Sequence, residues 1–200
     1  MNDKFFDLKK EKQDRMINAG LHIFAMNGYR HASTDETVKE ANISKGLLFH
    51  YFESKAGYYS FLYDYATRYA ILELTSQIRD SKVDYFSLHR QILRVEEDLL
   101  GQYPYLYLFL QSCELEDDPE GLAHLSTPEK TVKDYCISLL NDADLSSYIR
   151  LTGREEISEL IREVKLQEMR ELFPTGHPVS DYTAKMTHTI DLLQRLSSAL

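Results

Sequence analysis

Cysteine is scarce. Cys113 and Cys136 are the only two in 200 residues, too few for a disulfide framework or a thiolate metal cluster. Long hydrophobic runs are missing too. The longest, residues 105–110, falls far below the roughly 20 residues that cross a bilayer, so no membrane partner is expected. At the N-terminus Asp3, Lys4, Asp7, Lys9 and Lys10 surround a single Phe5-Phe6 pair. That is no signal peptide, and a cytoplasmic location with reduced thiols is expected. No segment alternates with a period of two for long enough to read as a strand. His89, His124, His177 and His188 show no pairing at metal-ligand spacing, so no metal is expected. No nucleophile–base pair is apparent either, so neither catalysis nor a cofactor is expected.

Positive charge is also short. Lys and Arg number 23 against 32 Asp and Glu, a net of −9. On its face this argues against a nucleic-acid binder, whose domains are usually basic. The imbalance is uneven, however. Residues 1–60 hold nine basic and eight acidic side chains, a net of +1, and the other 140 residues carry a net of −10. Two electrostatically different parts hint at two jobs. Hydrophobic residues at 43% and charged residues at 28% are globular proportions. A chain of this length buries roughly 70% of its unfolded surface without staples.

What is present is helical spacing. The first helix is expected over 7–27, with Met16, Ile17, Gly20, Ile23 and Phe24 as its apolar stripe and Gly28 as a left-handed stop. Ser33 with Glu36 reads as a capping box for a short helix ending near Ala41. Asn42 and Ile43 make a turn, and Ser44 caps a third helix over 45–52. Ser54 caps a fourth, to about Arg79. Further helices are expected over 84–102, 104–115 with Pro104 at its first position, a piece from Pro119, and one capped by Thr127 and running to Leu140. Residues 141–153 stay ambiguous. The last two helices span 154–173 and, capped by Ser180, the C-terminal stretch.

A helix of about eight residues, a three-residue turn and a second short helix make the helix-turn-helix plan. The second helix must show one face to the major groove and pack the other. Ile43, Leu48 and Phe52 supply the packing face, with Phe24, Val38 and Ala41 as partners. Lys45, Gly46, Leu47, Phe49, His50 and Tyr51 face outward. Helix-start amides at Ser33, Thr34, Ser44 and Lys45 are ready phosphate sites, and Lys55 adds a cation.

These residues carry a resemblance. Met16-Ile17, Ala19-Gly20, Ile23-Phe24, Gly28-Tyr29, Ser33-Thr34, Ala41, Ile43-Ser44-Lys45-Gly46, Leu48-Phe49, Phe52 and Ser54-Lys55 are similar to the DNA-binding domain of TetR-type repressors, over roughly residues 10–65. The resemblance implies an all-α protein with a three-helix DNA-binding head, residues 1–56, and a larger regulatory domain, residues 57–200. That domain would bind a small-molecule effector and form a homodimer on double-stranded DNA with a palindromic operator. It assigns Lys45, Gly46, Leu47, Phe49, His50 and Tyr51 to the reading face, and Thr34 and Lys55 to phosphate. Four positions depart from the pattern. Leu47 replaces a small polar residue, Phe49 a tyrosine, Thr37 a large aliphatic and Gly57 a glutamate. Thr37 is expected to weaken local packing. Gly57 is expected to cost about 1 kcal/mol of helix propensity, tolerated near a helix end.

Tyrosines crowd two segments, and their apolar bodies with polar tips suit a ligand pocket as well as a core. The candidate effector contacts are Tyr65, Tyr69, Phe86, His89, Tyr103, Tyr107, Gln111 and Tyr135. The acidic run Glu114, Glu116, Asp117, Asp118 and Glu120 reads as solvated, with Asp118 as a helix cap. For the dimer, the near-heptad stripe Ile157, Ile161, Val164, Tyr182, Met186, Ile190 and Leu193 is the candidate interface. The expected function is a DNA-binding transcriptional regulator, a repressor released by its effector. The alternative is a ligand-binding or protein-interaction module whose head does not read DNA. An acidic body around a near-neutral head predicts weak binding to random DNA.

Overall fold

A computed structural model describes residues 3–125, 128–148 and 153–198. The helices in chain order are α1 (Lys10–His31), α2 (Thr34–Glu40), α3 (Lys45–Phe52), α4 (Lys55–Gln77), α5 (Tyr85–Gln102), α6 (Leu106–Glu114), α7 (Pro119–His124), α8 (Val132–Asn141), α9 (Arg154–Leu172) and α10 (Val179–Ser198). Short 3-10 turns occupy Asp3–Asp7 and Phe173–Thr175. No strand occurs among the described residues, and one isolated parallel bridge pairs Asp84 with Asp144. The chain is all-α, as its spacing implies.

Two compact units form, each discontinuous in sequence. One is Met1–Tyr69 with Tyr103–Glu129, and the other is Ala70–Gln102 with Lys130–Leu200. In the first unit α1 buries Met16, Ile17, Ala19, Gly20, Leu21, Ile23 and Phe24. The N-terminal turn is pinned to it, because the Gln13 side-chain amide donates to the carbonyls of Phe6 and Leu8, at 3.0 and 2.7 Å. Phe5 is wholly buried, in an edge-on and tilted cluster with Tyr51, Phe52 and Phe61. Polar contacts join α6 and its flanks to α1. Tyr103 donates to Asp14 at 2.7 Å. Glu116 accepts from the Tyr29 backbone N–H at 2.8 Å.

In the second unit α5 is amphipathic and buries Tyr85, Phe86, Leu88, His89, Ile92, Leu93, Val95, Glu96, Leu99 and Leu100. Tyr182, Met186 and Ile190 of α10 are fully buried. Lys165 of α9 donates to Glu96 of α5 at 2.8 Å, both nearly out of solvent. Tyr182 also donates to Glu96, at 3.3 Å. Long charged side chains are seldom this buried unless paired.

Several expected boundaries shift. The first helix is interrupted at Gly28, as expected, with φ +64° and ψ 178° there, and a further turn beyond the kink carries α1 to His31. Glycine is required there, because positive φ with ψ near 180° is a region open essentially to glycine alone and distinct from the left-handed helical one. Pro104 lies in a turn, and α6 begins at Leu106. Thr127 falls outside the described residues, and the helix expected from it begins at Val132. Thr131 and Asp134 make the reciprocal capping box there, which stops propagation toward Pro128. Ser180 lies within the first turn of α10, which opens at Val179. Thr37 is the buried residue of α2. It is 2% exposed, and its hydroxyl donates to the Ser33 carbonyl at 3.0 Å.

Candidate nucleic-acid interface

The two short helices are built by their caps. Ser33 Oγ accepts from the Glu36 N–H at 3.3 Å and Ser44 Oγ from the Leu47 N–H at 3.2 Å. Each satisfies one donor that a helix start leaves open. Between them Asn42 takes φ +52°, a left-handed conformation that asparagine tolerates. The chain therefore turns within four residues, and α3 lies with Leu48 and Phe52 buried.

The opposite face of α3 is open. Lys45, Gly46 and His50 are exposed, and Leu47 and Phe49 are half-buried. A side chain at Gly46 would meet nothing within 4 Å, so a ligand's backbone can come close there. Tyr51 is the exception among the expected reading residues. It is 8% exposed, because α3 is only two turns long and its ring packs edge-on against Phe5 at 5.8 Å. Ser44 is exposed, and Ser33 and Thr34 are half-buried at the start of α2.

Four of the cations are occupied. Lys45 donates to both carboxylate oxygens of Asp35, at 2.9 and 3.0 Å. Arg15 bonds Glu11 at 2.8 Å and the Ala41 carbonyl at 3.2 Å. Lys10 bonds Asp14 at 2.7 Å. Lys55 is half-buried, with its ammonium 4.7 Å above the Tyr29 ring and 3.4 Å from the Arg30 carbonyl. Burial lowers the Lys55 pKa, and the charges of Glu120, Asp118 and Glu116 oppose that shift. Asp35 and the acidic α6–α7 segment were not foreseen as neighbours of these cations. Contacts across ten to ninety residues leave no local pattern.

The junction between α3 and α4 is tight. Glu53 sits at φ +67° and ψ −46°, and the Ser54 N–H donates to the Phe52 carbonyl at 2.7 Å. This is the rare, strained form of the three-residue turn. Ser54 Oγ then accepts from the Gly57 N–H at 2.9 Å. A Cβ on Gly57 would collide with the Phe52 carbonyl oxygen. Gly57 is thus a requirement of close approach, not a tolerated soft spot. Gly57→Ala would gain about 1 kcal/mol of helix propensity, yet a backbone atom cannot swing aside. A net loss of about 1–3 kcal/mol is expected in a thermal melt. A variant as stable as the parent would show that this turn has slack.

The expected effector contacts divide between the units. In the first, the Tyr65 and Tyr103 hydroxyls bond each other at 2.8 Å, and Tyr103 also bonds Asp14. Tyr69 stacks on Tyr65 and meets Tyr103 edge-on. Gln111 is buried and Tyr107 half-buried. A cleft of about 320 Å³ on this unit is lined by Glu11, Asp14, Arg15, Asn18, Ala19 and Glu40, and by none of these candidates. In the second unit Phe86 packs edge-on against Tyr85 and Tyr148. Tyr135 bonds Thr75 at 2.8 Å. His89 is 2% exposed, and its Nε2 has no hydrogen-bond partner. Burial, with the charges of Lys165 and Arg90, lowers its pKa to about 3, so it is neutral.

The expected dimer stripe is largely core. Ile161, Tyr182, Met186 and Ile190 are at most 1% exposed within one chain, because this side of α10 packs on α5. Ile157, Val164 and Leu193 are half-buried. The apolar residues left open on α9 and α10 are Leu160, Leu192 and Leu196.

A capped pair of short helices with the second helix open on one face defines a helix-turn-helix domain. Residues 16–57 match the family described as bacterial regulatory proteins, tetR family. The helix-turn-helix segment of this chain is thus similar to the DNA-binding head of that family. The HTH-type transcriptional regulator YuxN of Bacillus subtilis is 46% identical over 46 residues, which are 23% of this chain. The match spans only 16% of that relative's length. A TetR family transcriptional regulator from Chloroflexus aurantiacus has 20% identity and a TM-score of 0.47, over 97% of this chain and 96% of that one. The putative transcriptional regulator SCO4942 of Streptomyces coelicolor has 20% identity and a TM-score of 0.41, over 91% and 97%. Within the described residues no helix is long and apolar enough to cross a membrane.

Proposed function

We infer that this chain is a homodimeric, sequence-specific repressor that leaves a palindromic operator when a small-molecule effector binds. The observation that carries the reading is the open face of α3, where Lys45, Gly46 and His50 are exposed while Leu48 and Phe52 anchor the helix. Phe49 and Leu47 offer apolar contact to a thymine methyl, and Lys45 a hydrogen bond to guanine or phosphate. The match of residues 16–57 to bacterial regulatory proteins supports the DNA-binding role. One two-turn helix covers too little for specific affinity, and two-fold pairing doubles the site. Leu160, Leu192 and Leu196 are the residues we assign to that pairing. The buried, unpartnered Nε2 of His89 is where effector contact is sought first. Release then follows as a coupling free energy between effector and operator binding.

Selection of duplexes from a random pool by the full chain tests this. A two-fold symmetric consensus with half-sites about one helical turn apart is expected. A consensus without symmetry, or none, would reject the reading. Leu192→Asp with Leu196→Asp is expected to give a monomer by light scattering and to abolish binding to the symmetric site. A variant that stays dimeric would place the interface elsewhere.

A further inference from the structure

Lys45 opens the recognition helix and is its only Lys or Arg. It is exposed, yet it already has a partner. Its ammonium makes two hydrogen bonds to Asp35, at 2.9 and 3.0 Å. Asp35 lies in the first turn of α2, where a carboxylate is favoured by the helix start. The pair therefore bridges the starts of α2 and α3, on the surface that approaching phosphates would meet.

We propose that Asp35 is a specificity-determining residue, which withholds Lys45 from DNA of the wrong sequence and yields it only at a matching site. The proposal rests on the reading of the head as a DNA-binding domain. The physical argument is an exchange. Any phosphate or base that takes Lys45 leaves the Asp35 carboxylate facing a polyanion. On random DNA nothing offsets that repulsion, and Lys45 stays with Asp35. At a matching site the contacts of Leu47, Phe49 and His50 hold α3 in the groove, and the exposed pair, which is intrinsically weak, gives way. Lys10 and Arg15 are bonded to carboxylates in the same head, so Lys45 is one of at least three cations there already held by an acid. Non-specific affinity comes almost wholly from cation–phosphate contacts. Tying up one of them lowers it directly.

Asp35→Asn tests the exchange, with Glu36→Gln as control. Glu36 is the exposed neighbour on the same turn, and its replacement removes the same charge without touching Lys45. Fluorescence anisotropy would follow two probes across a salt series: a mixed-sequence 30-bp duplex, and the duplex that the wild-type chain selects from a random pool. Asp35→Asn is expected to raise affinity for the mixed duplex about tenfold and to steepen its log–log salt slope by about 0.9, one added phosphate contact. The selected duplex should gain at most about threefold, so the specificity ratio falls. Glu36→Gln should shift both probes by one common factor. In a Lys45→Met background Asp35→Asn should leave the slope alone. The proposal is overturned if Asp35→Asn moves both probes equally, if the slope is unchanged, or if the effect persists without Lys45. A wild-type chain that selects no duplex overturns the underlying reading instead, before any variant is compared.

Discussion

Gly20→Val is expected to lower the thermal midpoint of the first unit by about 10 °C. Gly20 lies on the buried face of α1, opposite α4. A Cβ there would collide with the Tyr58 hydroxyl and come within 2.6 Å of the Tyr58 ring. Neither atom can retreat easily. The Tyr58 hydroxyl donates to the Met16 carbonyl, and the Tyr58 ring, tilted on Phe24 and Phe52, has no exposure. Overpacking of this kind costs about 3 kcal/mol, and each kcal/mol is worth about 2–4 °C in a chain of this size. Gly20→Ala gains about 1 kcal/mol of helix propensity, and should still melt below the parent. Adding Tyr58→Phe to Gly20→Ala removes the colliding atom and is expected to recover part of the loss, a coupling that a double-mutant cycle reads. Equal midpoints for all variants would show that α1 and α4 can separate freely.

The second large effect is expected in the other unit. Lys165→Met should destabilise it by about 3–5 kcal/mol, because the Glu96 carboxyl would be left at 7% side-chain exposure with no ammonium beside it. The Tyr182 hydroxyl is a neutral donor to Glu96 at 3.3 Å and cannot replace that charge. The companion measurement is the double variant Glu96→Leu, Lys165→Met. It should lie within about 1–2 kcal/mol of the parent, since an apolar pair of similar volume avoids the desolvation of two ions. Chemical denaturation followed by circular dichroism separates the outcomes. A single variant as stable as the double would mean that water reaches Glu96 and screens it.

Much of the head was legible in the sequence because its determinants are local. Ser33, Ser44, Ser54 and Asp118 cap the helices they were expected to cap, and a cap is a contact with a backbone N–H two or three residues away. The limits of α3 follow for the same reason. Legibility ended where one side chain faces several candidates. Tyr51 has outward spacing in the sequence but is claimed by Phe5, 46 positions earlier. The α9–α10 stripe shows what periodicity omits. It reports which residues want burial, yet Tyr182, Met186 and Ile190 are buried within their own chain, and the large apolar residues it leaves exposed are Leu160, Leu192 and Leu196.

The shortage of positive charge reads differently once partners are known. By itself the sequence determined an all-α chain, a helix-turn-helix near its start, and a near-neutral head in an acidic protein, since these depend on spacing, caps and counts. Only the tertiary structure decided that Lys45 is held by Asp35, that Lys55 lies over Tyr29, and that Gly57 is demanded by the Phe52 carbonyl. Those facts depend on which surfaces meet after the chain has turned. Residues 103–129 group with the head because Tyr103 and Glu116 find partners on α1 some 90 positions away, a pairing that close packing selects and no local pattern encodes.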